Sequence, residues 1–373
     1  MALFCIDAQS ANKAQRTGVE NYSFHLIEAM KRLPLLEGER VLLYSEKPLE
    51  GKLGDLPSGW SNKVLPWPPK KGWMTFRVAH QLKKDKPSVF FVPSQGVPRC
   101  KTPLLTTVHD FGYRRVPSVY DPSVRKRLMS VEKRLKRADH VICVSKMTQS
   151  DLLAFTDFTT ENSTVVYHGY DKNLFQHQDD QVVTPVLNKY RLGKKFFLSV
   201  GRLEMKKNIT LLIRAFELFK QRRGTGDPFE LVLVGKKGFG FEKMKPFIEH
   251  SEYTDQIRVL DFVEDDDLSK LYNAATAFLF PSHYEGFGIP LVEAMATDTP
   301  VFASDLQVHR EVLGDAGVFL STQEAKMWAH ELKRFVDDPD IASRMIEKGR
   351  EQAKLFGWEK AAQESWNLMR NML

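Results

Sequence analysis

Residues Pro281-Ser-His-Tyr-Glu-Gly-Phe-Gly-Ile-Pro-Leu-Val-Glu293 follow the apolar run Ala277–Phe280 and lead into a helical pattern that continues through Ala296. A strand ends at Phe280, a loop with two glycines follows, and Pro290 suits the first turn of the helix. In an open α/β sheet, ligands bind beyond the carboxyl ends of the strands. The reading therefore puts Glu285 in such a crevice, with the amide-rich start of the helix beside it. Gly286 and Gly288 let the backbone approach a ligand closely. Gly286, Phe287, Gly288 and Glu293 are candidate substrate-binding positions, and Glu285 a candidate catalytic one. Two solvated glutamates would look the same at their own positions; the whole string is what points to a site.

Working outward, short β-branched and aromatic runs alternate with helical patterns along the whole chain. The first half offers Leu3–Asp7, Val41–Tyr44, Val89–Val92, Leu104–Val108, His140–Val144 and Thr164–Tyr167. The second half offers Phe196–Val200, Glu230–Val234, Arg258–Phe262, Ala277–Phe280 and Pro300–Ala303. Several are apolar throughout, as strands buried on both faces are. Between them lie amphipathic stretches such as Val19–Leu33, Ile209–Gln221 and Asp265–Ala275. The alternation reads as parallel α/β. Leu49–Trp73, rich in Pro, Gly and Trp, reads as an irregular loop.

A polar, weakly periodic segment, Asp171–Leu192, precedes a fresh strand at Phe196 and marks a boundary. The expected domains are two Rossmann-like units, 1–187 and 188–355, with a helix at 356–373 that returns to the first. At 373 residues the chain suits about two domains. Its 42% hydrophobic and 27% charged residues exclude a mainly disordered chain. No apolar run is long enough to span a bilayer, and Met1–Ile6 lacks the basic leader of a signal peptide. The three cysteines, Cys5, Cys100 and Cys143, have no metal-binding spacing and read as reduced thiols.

Three further segments carry chemistry. Ser199-Val-Gly-Arg-Leu-Glu-Met-Lys-Lys-Asn208 runs from a strand into a turn at Gly201 and presents Arg202 and Lys207 before a helix. Arg offers a planar fork to paired phosphate oxygens and Lys a compact charge; Lys206 rivals Lys207 for that role. Thr17-x-x-Glu20 has capping-box spacing, so Glu20 reads as a capping residue, and Gly18 sits where a helix N-terminus faces an anion. His109 follows the strand Leu104–Val108, again at a carboxyl end where sites form. His168 reads as structural.

Together, GRLEMKKN at 201–208, LVLVG at 231–235, EGFGIPLVEAMA at 285–296 and EVLGDAG at 311–317 resemble the family 4 retaining glycosyltransferases. Thr17-Gly18-Val19, Val108-His109-Asp110, Val144-Ser145 and 166–171 resemble the same family. The resemblance implies the GT-B fold, two Rossmann-like domains with parallel sheets facing across a central cleft, with a nucleotide-sugar donor held mostly by the second. It implies that Arg202 and Lys207 hold the diphosphate, Glu285 the hydroxyls of the transferred sugar and Glu293 the ribose. His109 would lie near the reacting sugar, donating a hydrogen bond to one of its hydroxyls, and Gly18 in the loop over the phosphates. Many relatives have two adjacent glycines where this chain has Thr17-Gly18.

The implied function is metal-independent, retaining transfer of a hexose from a nucleotide diphosphate sugar to a hydroxyl acceptor, with no cofactor. The first half resembles bacterial mannosyltransferases more than sucrose or starch enzymes, which favours GDP-mannose and a lipid-linked or polysaccharide acceptor in surface polysaccharide synthesis. The alternatives are a UDP-sugar donor and a non-catalytic sugar-nucleotide-binding subunit.

Charge is 54 basic against 47 acidic residues, a net +7, with pI about 9.1. Part of that surplus lies at 122–138, where Arg125, Lys126, Arg127, Lys133, Arg134, Lys136 and Arg137 accompany an apolar stripe of Val124, Leu128, Val131, Leu135 and Ala138. Either this is a solvated helix face, or it docks on an anionic membrane surface. No nucleic-acid-binding motif accompanies it. The expected location is the cytoplasm, with the inner membrane face as the place where such docking would occur.

Overall fold

The computed structural model describes residues 2–69, 71–224 and 226–373. Met1, at the start of the apolar N-terminal run, and Lys70, within the expected Leu49–Trp73 loop, lie outside the described residues, as does Thr225. The chain forms two compact units. The first comprises the chain up to Phe111, Ser123–Gly169 and Gly357–Leu373; the second comprises Gly112–Pro122 and Tyr170–Phe356.

The first unit is built on a seven-stranded parallel sheet of β1 (Ala2–Asp7), β2 (Glu39–Ser45), β3 (Trp60–Val64), β4 (Val89–Val92), β5 (Leu104–Val108), β6 (His140–Cys143) and β7 (Ser163–Val165). Its order is β3-β2-β1-β4-β5-β6-β7. The central strands are buried along their length, and register sets Phe4 opposite both Val41 and Val89. The helix Trp358–Asn371 packs on the helix Gly18–Lys31. Trp366 is fully buried there, with its ring edge-on to Phe4 at 5.1 Å. Arg370 adds paired bonds to Glu39 at 2.9 and 2.8 Å.

The second unit has a six-stranded parallel sheet of β8 (Phe196–Val200), β9 (Glu230–Val234), β10 (Ile257–Leu260), β11 (Ala277–Phe280), β12 (Val301–Ser304) and β13 (Gly317–Leu320). The order is β10-β9-β8-β11-β12-β13. The core on one face centres on the rings of Phe197, Phe219 and Phe229, with centroids 5.0–5.4 Å apart, and on Trp328. Both sheets are Rossmann-like, and in each the strand order reverses direction beside its first strand. Such switch points, between β1 and β4 and between β8 and β11, are where open α/β sheets bind ligands.

Four local expectations need correction. Leu49–Trp73 is not wholly irregular: it contains the edge strand β3, hidden because WSNKV lacks apolar alternation, and begins with a short 3₁₀ turn at Gly51–Gly54. β13 was not anticipated either. The helix expected at 356–373 runs over Trp358–Asn371, and a separate helix, Pro339–Ala353, which the sequence reading did not set apart, precedes it. The polar segment at 171–192 contains the helix Asp180–Tyr190, which packs on the helix Asp265–Ala274 of the second unit. By contacts the chain accordingly enters that unit at Tyr170, earlier than composition suggests, and 112–122 also belongs to it.

Candidate functional site

In the second unit, the loops after β8 and β11 meet at the switch point. Gly201 leaves β8 with φ +144°, a conformation that glycine tolerates, and a Cβ there would lie 3.1 Å from Lys207 Cε. A 3₁₀ turn, Met205–Lys207, brings the chain back to the helix Ile209–Arg223. Asn208 ties the loop down, its Nδ2 donating to Pro281 O at 3.2 Å and Thr322 O at 2.9 Å. His283 N donates to Lys206 O at 2.9 Å. The two loops are thus fixed to each other by one backbone bond and one bond from the Asn208 side chain before any charged group is considered.

Lys207 Nζ donates to Glu285 Oε1 at 2.7 Å and stands 4.6 Å from the centre of the Phe280 ring. Lys206 Nζ is 4.0 Å from Glu285 Oε2. The rivalry between the two lysines is therefore not exclusive: both face the same carboxylate. Burial pushes the Glu285 carboxyl up, but the charges of Lys207 and Lys206, with hydrogen bonding from Lys207, outweigh it and hold the group at about 2. Arg202 is exposed and, among the described residues, makes no hydrogen bond or ion pair; its stem lies across Gly238, where a Cβ would meet Cγ at 2.9 Å.

Gly288, at φ +101°, caps the helix Ile289–Ala296. Gly286 and Gly288 are buried. Phe287 is buried as well, its ring edge-on to Phe356 at 5.5 Å, so its side chain is committed to packing and leaves only backbone for a ligand. Glu293, one turn into the helix, accepts a bond from Tyr272 Oη at 3.2 Å. Burial and the nearby Asp265 carboxylate raise its pKa to about 8, against a smaller lowering by Tyr272.

A neighbouring group escaped the sequence reading. His309 is fully buried, and its Nδ1 donates to Ser304 O at 2.8 Å. Ser304 Oγ in turn donates to Ser282 O at 2.6 Å, bracing the loop that carries Glu285. No short-range motif marks His309; only the packing of β12 beside β11 brings it to the site.

The first unit places Asp7 at its own switch point and His109, just after β5, against Pro93 at the end of β4. Asp7 ends β1, accepts from Gln9 N at 3.0 Å and Ser94 Oγ at 3.1 Å, and is raised by burial to about 6. His109 Nε2 donates to Pro93 O at 2.8 Å, and burial holds the ring below its usual pKa, hence neutral. This corrects the expectation that His109 donates to a sugar hydroxyl: the donor nitrogen is occupied, and Nδ1 offers an acceptor. Gly18 is exposed, and a Cβ added there would meet nothing within 4 Å. Thr17 N donates to Glu20 Oε2 at 2.8 Å, so Glu20 caps the helix Gly18–Lys31. His168 is buried against the rings of Tyr22 and Trp358.

The basic helix runs over Pro122–Leu135 and closes with a turn at Ala138, three residues short of the expected helical span. Lys126, Arg127, Lys133, Lys136 and Arg137 are exposed; Arg125 and Arg134 are half-buried. Glu132 is buried, so it does not belong to the exposed face, and of the apolar stripe only Leu135 and Ala138 are buried. Among the described residues no helix is long and apolar enough to cross a membrane, and no three His, Cys, Asp or Glu side chains form a metal-ligand set.

Comparison with known proteins gives the same answer for both halves of the chain. Residues 16–174 match the family model described as glycosyltransferase family 4, and residues 187–352 the one described as glycosyl transferases group 1. O-antigen chain mannosyltransferase B of Escherichia coli is 30% identical over 297 residues, which cover 78% of this chain and 76% of that protein. Among solved structures, sucrose-phosphate synthase from Thermosynechococcus elongatus superposes with a TM-score of 0.77 at 20% identity, covering 100% of this chain and 99% of its own. HepE from Anabaena, in complex with UDP-glucose, gives 0.77 at 17% identity and covers 100% of both chains.

Proposed function

The chain belongs to glycosyltransferase family 4 and has the GT-B fold, and from that membership we propose that it transfers mannose, with retention, from GDP-mannose to a hydroxyl of a lipid-linked or polysaccharide acceptor. The observation that carries the reading is the cationic loop that bears Arg202, Lys206 and Lys207 at the switch point of the second unit, with both lysines facing Glu285. The mannosyltransferase match over most of the chain supports the choice of sugar.

In this reading the diphosphate lies against Arg202 and Lys207, and the oxygen that departs with it gathers negative charge as the sugar becomes oxocarbenium-like. Fixed positive groups there lower the barrier, each worth on the order of a few kcal/mol. Glu285 accepts hydrogen bonds from the hexose hydroxyls and Glu293 from the ribose. Gly201, Gly286 and Gly288 admit the ligand to the backbone, as does the main chain at Phe287. In the first unit, His109 Nδ1 accepts from a substrate hydroxyl, and Gly18 leaves room for phosphate oxygens. No side chain acts as general base; the leaving phosphate takes the acceptor proton. No metal is required.

The test is incubation with GDP-mannose, UDP-sugars and a lipid-linked glycan acceptor, with and without chelator, followed by nuclear magnetic resonance of the product. An α-mannosyl product formed undiminished in chelator is expected. Binding without transfer to any acceptor would favour a non-catalytic subunit, and a β-linkage would exclude retention.

The exposed basic residues of the Pro122–Leu135 helix fit an anionic phospholipid surface, each contributing about 1 kcal/mol. Sedimentation with phosphatidylglycerol vesicles should fall when Lys126, Arg127, Lys133, Lys136 and Arg137 are neutralised; unchanged sedimentation would remove this role.

A further inference from the structure

Lys207 Nζ stands 2.7 Å from Glu285 Oε1 with their side chains 15% and 9% exposed, and Lys206, 14% exposed, completes the cluster. Two groups assigned above to different parts of the donor, one to the phosphates and one to the sugar, are therefore engaged with each other in the ligand-free protein. Taking one partner from a largely buried ion pair is costly because it leaves an uncompensated charge. We propose that Glu285 sets the preference of this site for the intact, sugar-bearing donor over the spent nucleoside diphosphate.

The inference rests on the donor-binding reading above and extends it to product release. An incoming diphosphate draws Lys207 toward its oxygens and brings negative charge close to the Glu285 carboxylate. With the intact donor, hexose hydroxyls replace Lys207 as hydrogen-bond donors to Glu285. The nucleoside diphosphate has no such hydroxyls, so it leaves Glu285 ionised, largely buried and without its 2.7 Å partner, facing only the more distant Lys206 at 4.0 Å. Discrimination is a difference of two affinities, and here the repulsive part acts on the product alone. Once the sugar has departed, the carboxylate that held it favours re-pairing with Lys207 and loss of the product.

Glu285→Gln keeps the side-chain shape and removes the charge. Calorimetric titration of wild type and variant uses GDP, UDP and inorganic pyrophosphate, with GDP-mannose alongside. The variant should bind GDP and pyrophosphate about tenfold more tightly than wild type, and the ratio of the GDP and GDP-mannose dissociation constants should shrink by a similar factor. Adding Lys207→Met to that variant should erase the gain, since the two residues act as a pair. Glu285→Asp, which draws the carboxylate back by one methylene, should show a smaller gain and serves if the glutamine variant does not fold. GDP affinity that is unchanged or weaker in these variants, with wild-type transfer intact, overturns the inference alone. Absence of nucleotide-sugar binding and transfer in the wild type overturns both it and the reading beneath it.

Discussion

Tyr272 Oη donates to Glu293 Oε2 at 3.2 Å across the helices Asp265–Ala274 and Ile289–Ala296, and the carboxyl it meets is held at about 8. Burial is the main cause and the Asp265 carboxylate the second. A carboxyl raised from 4.5 to about 8 binds its proton more tightly in the folded chain. Its contribution to stability is complete below pH 4.5 and is lost as pH rises through about 8. Glu293→Gln should therefore melt at a higher temperature than wild type at pH 8.5, with the gap closing toward pH 5. A pH-independent difference between the two melting curves would contradict this assignment.

Gly18 has a negative φ and open space where a Cβ would stand, so the fold itself does not require glycine there. Gly18→Ala should leave the melting temperature within about 2 °C of wild type, as surface changes away from special features do. It should weaken GDP-mannose binding at least about tenfold if phosphate oxygens occupy that space. Normal binding by the alanine variant would remove Gly18 from the site.

What was legible in the sequence divides along physical lines. β4, β5, β8, β9 and β11 were readable at their true ends because they are largely apolar and their ends coincide with composition changes. β3 was not, since a half-exposed edge strand needs no alternation. The loops bearing Arg202, Lys207 and Glu285 could be placed because each follows its own strand. Their meeting could not: Lys207 and Glu285 are 78 residues apart, and Asn208 reaches 114 residues to Thr322. The tautomer of His109 depends on Pro93, 16 residues away, and the buried position of His309 on the neighbouring strand. Pairwise geometry of this kind is a product of sheet order, which no short window contains.

Trp366 fills the contact between the helix Trp358–Asn371 and the first sheet, with Phe4 at 5.1 Å and Trp60 at 6.2 Å. Trp366→Ala should cost about 3–5 kcal/mol, the usual loss for a buried large aromatic. Denaturant unfolding followed by far-ultraviolet circular dichroism checks it. A loss below about 1 kcal/mol would mean that the C-terminal helix is not part of the cooperative core of its unit.

The assignment as a whole depends on the positive loop after β8 receiving a diphosphate, and Arg202 is its cleanest probe. Among the described residues its guanidinium makes no hydrogen bond or ion pair, so its removal disturbs no internal bond. The decisive measurement is the dissociation constant of GDP-mannose for wild type and Arg202→Ala, with melting curves in parallel. Binding should weaken at least about tenfold, equivalent to about 1.4 kcal/mol, with the melting temperature unchanged. Equal affinity for the donor in two equally stable proteins would contradict the account.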